Sequence, residues 1–298
     1  MLLYNYTTPA QDFQDFFRFL PLIFAFCRDI LFSKEQFMSE LQISILGIVL
    51  IFVSTALGSA LVYFFKSGIS PKVNTLFLGS AAGVMVSASV FSLLIPAIEQ
   101  SNSYGGWSFL PASVGFIVGG LFLVLLDKLV PHFHRGTNEN EGPSVQVKKS
   151  IRLFLAVTLH NMPEGMAVGF ALGSASTVGG TTAVLSALGL AIGISIQNFA
   201  EGAALALPIK ATTGSSNKAF LLGTLSGLVE PVFAVIGYLL ASFIQVLQPW
   251  LLAFAAGAMI FVVVEDLIPD AQSSGHSHIG TWSAMVGFVV MMVMDMVL

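Results

Sequence analysis

The chain has 298 residues, of which 55% are hydrophobic and only 9% are charged, and its mean hydropathy is +0.87. Soluble proteins carry about 25% charged residues, so this composition excludes a soluble protein and predicts an all-α protein that crosses a membrane several times. The net charge of −4 carries little information, no nucleic-acid partner is expected, and the single cysteine, Cys27, excludes a disulfide framework and a cysteine-based metal site.

The first predicted element is an N-terminal extension, residues 1–41. Its apolar stretch FLPLIFAFC, at 19–27, is too short to cross a bilayer by itself. With its flanks it could form an extra helix, so it stays open whether residues 13–32 span the membrane. Asp12 and Asp15 upstream, together with the lack of a small-residue cleavage pattern, argue against a signal peptide. We expect a helix that lies at the membrane interface.

Eight further stretches reach the length of about 20 apolar residues that a membrane-spanning helix needs. They are the predicted spans one to eight, at about 42–65, 73–98, 108–130, 151–173, 180–207, 218–242, 248–269 and 279–298. Turn-forming sequences such as SGISPK, SNSYGG, GSASTVGG and ATTGSSN join them. The longest join, about 131–149, is polar and contains Gly and Pro, and we expect it to be flexible. Residues 42–298 are therefore predicted to form one eight-span domain.

The positive charges predict the orientation of this domain. Lysines and arginines flank the first, third and fifth joins: Lys66 and Lys72, then Lys128, Arg135, Lys148, Lys149 and Arg152, then Lys210 and Lys218. The second, fourth and sixth joins carry none. Because cytoplasmic loops are enriched in Lys and Arg, joins one, three and five are predicted to be cytoplasmic and both ends of the domain to lie outside. The seventh join carries no Lys or Arg, and only the alternation of the spans places it inside. The expected location is the plasma or inner membrane.

Two related motifs lie inside spans of this apolar chain, HNMPEG in span four and QNFAEG in span five. They place His160 four residues before Glu164, and Gln197 four residues before Glu201. Residues four apart on a helix share one face, with Cβ atoms roughly 6 Å apart. Ionisable residues at membrane depth are costly, and they are expected to be functional. Two carboxylates, an imidazole and an amide on neighbouring spans suggest a metal site within the bilayer.

Span six adds a third carboxylate, Glu230, beside a proline. Three bare carboxylates at low dielectric repel one another unless they are protonated or share a divalent cation. Pro163, between the two polar positions of span four, frees a carbonyl one turn back, and such a break is tolerated where a helix lines a cavity. A small and polar stripe marks one face of span five: Ser186, Gly189, Gly193, Gln197 and Glu201. A single polar residue is often a packing partner, but packing alone explains this whole set poorly.

HNMPEGMAVG and QNFAEGAALALP match the paired metal motifs of the ZIP (zinc- and iron-regulated transporter-like) family. The chain resembles the bacterial GufA-like branch of that family over about residues 42–298. The resemblance implies a 3+2+3 bundle, in which spans one to three and six to eight are inverted repeats around the central pair. Inverted-repeat transporters bind their substrates near the midplane of the membrane.

The resemblance also implies the ligands. By position, the primary metal ligands are His160, Glu164, Gln197, Glu201 and Glu230. Asn161 and Asn198, with the three glutamates, form the second site of a binuclear centre. Some family members have an acidic residue in place of Asn198, and the neutral amide is expected to weaken binding of a second ion. Met85 in span two resembles a softer ligand of some members, and plain packing is an equally open alternative.

Other polar residues mark a predicted route across the membrane. Glu99, at the outer end of span two, is either a point of access for the metal or an ordinary solvated carboxylate. Acids and histidines accumulate on the predicted cytoplasmic side: Asp127, His132, His134, Glu265, Asp266, Asp270, His276 and His278. Histidine and carboxylate suit divalent ions such as zinc, so these residues suggest a release funnel or a metal-sensing loop, with unspecialised surface residues as the alternative.

The predicted function is uptake of a divalent transition metal into the cytoplasm. Zinc is expected first, with iron(II), manganese, cobalt and cadmium also compatible with nitrogen and carboxylate ligands. The alternative is a metal-dependent intramembrane hydrolase with Glu164 as base, but HExxH and a nucleophile motif are missing. A metal-efflux exchanger is a third hypothesis. The expected partners are metal ions and the lipid bilayer, a homodimer is left open, and no cofactor or enzymatic activity is expected.

Overall fold

The computed structural model describes residues 39–65, 71–129, 132–133, 140–141, 149–272 and 278–297. Helices make up nearly all of these residues, and the two strands among them, His132–Phe133 and Asn140–Glu141, form one short antiparallel pair. The predicted interfacial helix before residue 39 lies outside the described residues, and so does most of the join predicted to be flexible.

Within these residues the helices follow the predicted spans in order, and we keep the span numbers for them. Their bounds are, for span one, Glu40–Ala60 with the turn Leu61–Tyr63; for span two, Pro71–Ala88, Ser89–Leu94 and Ile95–Gln100; for span three, Phe109–Leu129; for span four, Lys149–Val178; for span five, Thr181–Thr213; for span six, Ser216–Gly227 and Val229–Phe243; for span seven, Gln248–Val262, Val263–Leu267 and Ile268–Gln272; for span eight, Ile279–Val297. Tighter 3₁₀ turns lie at Ser101–Trp107 and Gln245–Leu247.

In the described part of the chain, seven of these helical segments are long and apolar enough to cross a membrane. The protein is therefore an all-α polytopic membrane protein. The remaining segment, span four, has 30 residues, which exceeds the length that a crossing needs. Its mean hydropathy is lowered by polar residues such as His160, Asn161 and Glu164. The eight-span arrangement stays a prediction. In that arrangement, span four is the eighth crossing and the one with the most polar residues.

The helix of span four continues through most of GSASTVGG, where the sequence predicts a join. Hydroxyl groups support this extra turn: the Oγ1 of Thr177, for example, donates to the main-chain oxygen of Ser174 at 2.8 Å. The turn itself is made by Gly179 and Gly180, with φ of 73° and 97°, a left-handed conformation that glycine adopts without strain. The predicted join ATTGSSN likewise begins as helix. The runs of serine and threonine were interpreted as loops, but several of these residues belong to the last turns of helices that end at Val178 and Thr213.

The helices pack in two groups of four. Spans one, four, five and six form one group, in which span one packs along span five and span four along span six. Spans two, three, seven and eight form the other, in which span two packs along span eight and span three along span seven. The groups meet mainly where span two contacts span five and where span seven contacts span four. Each of these pairings has a counterpart when spans one, two, three and four are exchanged for spans six, seven, eight and five.

Spans two and seven share a further local feature. Each contains a short π-helical segment, at Ser89–Leu94 and at Val263–Leu267, and the next two residues are Ile and Pro in both. Proline lacks the N–H that an α-helix would use, and a widened turn accommodates the missing bond. The matching segments and matching contacts are the arrangement expected of the predicted inverted repeats.

Candidate metal site

The predicted ligands of spans four, five and six lie together in the interior of the first helix group. Their exposed fractions are 0% for Glu164 and Glu230, 1% for Asn161, Gln197 and Asn198, and 9% for Glu201. Polar side chains that are buried this deeply need hydrogen-bond or ionic partners. The predicted ligands of these three spans that are named here are thus buried inside the protein, and their role as ligands stays a prediction.

The glycine that ends each motif brings a neighbouring helix close to the site. A Cβ on Gly165 would lie 2.3 Å from the main-chain oxygen of Glu230, and a Cβ on Gly202 would lie 2.3 Å from that of Thr55. Any side chain at these positions would push the helices apart. The motif glycines thus set span six against span four and span one against span five.

Glu230 is held by three hydrogen bonds from neutral groups. Its Oε1 accepts from Thr55 Oγ1 at 2.8 Å and from Asn161 Nδ2 at 2.9 Å, and its Oε2 accepts from Asn198 Nδ2 at 2.7 Å. Thr55 belongs to span one and was missed in the sequence analysis, because no motif distinguishes it from the other hydroxyl residues there. The three donors stabilise a carboxylate that would otherwise be costly to bury.

Four buried oxygens of the site have no hydrogen-bond partner. They are Glu164 Oε2, Asn161 Oδ1, Gln197 Oε1 and Asn198 Oδ1. The three amide side chains among them donate N–H groups to carboxylates; for example, Gln197 Nε2 donates to Glu164 Oε1 at 2.5 Å. Each unsatisfied buried acceptor costs about 1–3 kcal/mol. A divalent cation, which binds carboxylate and amide oxygens, would satisfy several of them at once.

The predicted primary ligands are nevertheless not assembled around one point. Among the residues that the structure describes, no three His, Cys, Asp or Glu side chains are arranged to hold one metal ion. In this arrangement amides donate to one oxygen of Glu164 and to both oxygens of Glu230.

His160 is engaged by a carboxylate from the other helix group. Its Nε2 lies 3.0 Å from Asp266 Oδ2, and the two side chains are 15% and 13% exposed. Both residues line a small cavity of about 60 Å³, together with Glu201 and Asp270. Two residues that the sequence assigned to the cytoplasmic route, Asp266 and Asp270, thus lie beside the candidate ligands.

A larger cavity of about 340 Å³ opens at the other end of the bundle and is lined by Glu99, as the sequence suggested for a point of access. Ser92 also lines this cavity, and its hydroxyl donates to Asp295 Oδ1 at 2.6 Å. Asp295 was missed because it stands near the end of the chain outside any motif. A charged residue within the last apolar span was the signal that could have identified it.

The structure describes some of the other predicted residues. Met85 is fully buried in the core of span two, which fits packing and leaves a ligand role as a prediction. Glu265 and His278 are exposed. The remaining predicted route residues are placed as follows: Asp127 in the helix of span three, His132 in the strand paired with Glu141, and His134 and His276 outside the described residues.

Comparison with known proteins agrees with the two motifs. A family model described as ZIP zinc transporter matches residues 146–295, which include both motifs and Glu230. Zinc transporter ZIP11 of Xenopus tropicalis is 37% identical over 85% of this chain and 96% of that protein. Zinc transporter GufA of Myxococcus xanthus is 35% identical over 82% of this chain and 94% of its own, and zinc transporter ZIPB of Bordetella bronchiseptica is 35% identical over 82% and 77%.

Proposed function

Because this chain belongs to the ZIP zinc transporter family, we propose that it carries zinc, or a similar divalent transition metal, across the membrane into the cytoplasm. The observation that carries the proposal is the set of four unpartnered oxygens buried among three glutamates. The relatives are named as transporters, so the protein is a multi-pass membrane transporter rather than an enzyme, and nothing supports the hydrolase alternative.

The proposed primary ligands are those implied by the motifs, namely His160, Glu164, Gln197, Glu201 and Glu230. Without metal, the amides stabilise the buried carboxylates by donating N–H groups to them. When a cation arrives, the amides turn their free oxygens toward it and release the carboxylates, whose negative charge offsets the dehydration of the ion. Asn161 and Asn198 supply oxygens to a second, weaker ion.

The proposed route runs from the larger cavity to the smaller one. Metal collects in the cavity beside Glu99 and Asp295, where carboxylates attract cations. It is bound at the buried site and leaves past Asp266 and Asp270. From the Lys and Arg pattern we propose that the smaller cavity faces the cytoplasm and that the ends of the domain lie outside. The proposed location is the cell membrane.

The proposed ligands all come from spans four, five and six of one chain. The proposal therefore needs no ligand from a second copy, and a homodimer stays a separate prediction. The inverted repeats are supported by the paired helix contacts and by the two π-helical segments. In this arrangement the central pair, spans four and five, carries four of the five primary ligands at the midplane, and span six adds Glu230.

Zinc uptake into proteoliposomes tests the proposal. Purified protein is reconstituted around a fluorescent zinc chelator, and zinc is then added outside. We expect saturable uptake that iron(II), manganese, cobalt and cadmium inhibit in proportion to their affinities. Protein carrying Glu164→Ala serves as the control. Uptake by the unmodified protein no faster than by this variant would contradict the proposal.

A further inference from the structure

Thr55 is a buried hydroxyl that contacts a candidate ligand directly. It is 1% exposed, and its Oγ1 lies 2.8 Å from Glu230 Oε1 and 3.2 Å from the main-chain oxygen of Ile51, one turn back in its own helix. The hydroxyl has one hydrogen to donate. Of the two acceptors, the carboxylate oxygen of Glu230 is both the nearer and the stronger.

The backbone around Thr55 leaves it little freedom. A Cβ on Gly202, the residue after Glu201, would lie 2.3 Å from the Thr55 main-chain oxygen. A Cβ on Gly227, in span six, would lie 2.8 Å from the Thr55 side chain. Two helices that carry candidate ligands thus enclose this threonine at close range, and its hydroxyl is fixed relative to both of them.

Thr55 and Glu230 occupy matching places in the two halves of the chain. The glycine of HNMPEG packs against the main-chain oxygen of Glu230, and the glycine of QNFAEG packs against that of Thr55. In both cases a Cβ on the glycine would lie 2.3 Å from the oxygen. Span six thus packs on span four as span one packs on span five. The first half of the chain places a threonine where the second half places the glutamate.

We propose that Thr55 is a positioning residue of the metal site, which holds Oε1 of Glu230 so that Oε2 faces the metal. This inference rests on the proposed function. When Asn161 and Asn198 turn their oxygens to the ion, Glu230 loses their two N–H donors. Thr55 then remains as the donor on Oε1, and the carboxylate offers one defined oxygen to the metal.

Zinc uptake by Thr55 variants tests this role. Thr55→Val keeps the shape and removes the hydroxyl, and we expect a roughly tenfold rise in KM with a nearly unchanged maximal rate, because a hydrogen bond to a charged group is lost. Thr55→Ser should restore the original KM. Ser44→Ala is the matched control, since Ser44 is buried on the same helix and donates to the main-chain oxygen of Glu40 at 2.9 Å.

A double-mutant cycle separates positioning from general packing. The readout is the Kd for zinc, measured by titration of the purified proteins, because it can be measured even in a variant that no longer transports. If Thr55 acts through Glu230, Thr55→Val changes this Kd little in a Glu230→Gln background. Equal effects of Thr55→Val in both backgrounds, or no recovery in Thr55→Ser, would overturn the inference. Should Thr55→Val lower thermal stability in detergent, the smaller Thr55→Ala replaces it in the same cycle.

The outcome is distinguishable from failure of the proposed function. If Glu164→Ala abolishes uptake while Thr55→Val transports with the original KM, Thr55 has no positioning role and the transport function stands. If Glu164→Ala transports like the unmodified protein, the proposed site itself is wrong, whatever Thr55 does.

Discussion

His160 Nε2 lies 3.0 Å from Asp266 Oδ2, and this contact joins span four of one helix group to span seven of the other. A histidine that binds metal commonly uses its second ring nitrogen on a carboxylate, which orients the ring and increases its basicity. Asp266 stands in that relationship to a proposed ligand. The contact also crosses the boundary between the helix groups, so any displacement of one group against the other would break it.

The first prediction concerns this pair. Asp266→Asn removes the negative charge that orients His160, and we expect the KM for zinc uptake to rise roughly 10- to 100-fold, as for other carboxylate partners of metal-binding histidines. Asp266→Glu should recover part of the affinity. A lower maximal rate with an unchanged KM would instead mean that Asp266 serves only the release of the ion.

The second prediction concerns the carboxylate shared by the site and the smaller cavity. Glu201→Ala removes a charged ligand that borders both, so high-affinity zinc uptake should be abolished while the protein stays folded. Glu40→Ala is the control, because Glu40 is an exposed carboxylate at the start of span one. Expression, gel filtration and uptake are compared for both variants. Normal uptake by a well-folded Glu201→Ala protein would exclude the proposed ligand set.

The sequence was sufficient for the fold class and for finding the three buried glutamates of spans four to six, because ionisable residues are costly to place in lipid and therefore stand out in apolar spans. It did not reveal how they pair. Thr55 and Asp295 carry no motif, and their partners Glu230 and Ser92 lie on helices that are distant in the chain. Hydrogen bonds between such helices depend on packing, which periodicity in one helix does not encode.

The third prediction concerns orientation. In a Cys27→Ser background, Ser103→Cys lies in the join after span two, which carries no Lys or Arg, and Asn138→Cys lies in the third join, which is rich in both. The positive-inside rule predicts that an impermeant thiol reagent labels Ser103→Cys in whole cells and does not label Asn138→Cys. Both variants should react after the cells are permeabilised. The reverse labelling would exchange the access and release ends of the route.

The fourth prediction concerns Asn198, whose Nδ2 donates to Glu230 Oε2 at 2.7 Å. Asn198→Asp places a carboxylate against a carboxylate, so the metal-free protein should lose thermal stability through like-charge repulsion. Zinc should then raise the Tm of this variant more than that of the unmodified protein, because the second ion gains a charged ligand. Metal titration is expected to give one tight ion per chain before the change and two after it. Two equally tight ions in the unmodified protein would contradict the weakened second site.

The last prediction concerns the histidines assigned to the cytoplasmic side, His132, His134, His276 and His278. His160, the histidine of the candidate site, lies 3.0 Å from Asp266, and the other four are proposed to assist release of the metal rather than its recognition. If they receive metal after it passes Asp270, replacing all four with Ala should lower or deregulate the maximal rate of zinc uptake and leave KM nearly unchanged. A quadruple variant that transports normally would identify them as ordinary solvated residues. A large rise in KM would be more serious. It would mean that the orientation or the assignment of the primary site is wrong, because residues near the predicted cytoplasmic ends of spans three and seven should not contact an ion bound among Glu164, Glu201 and Glu230.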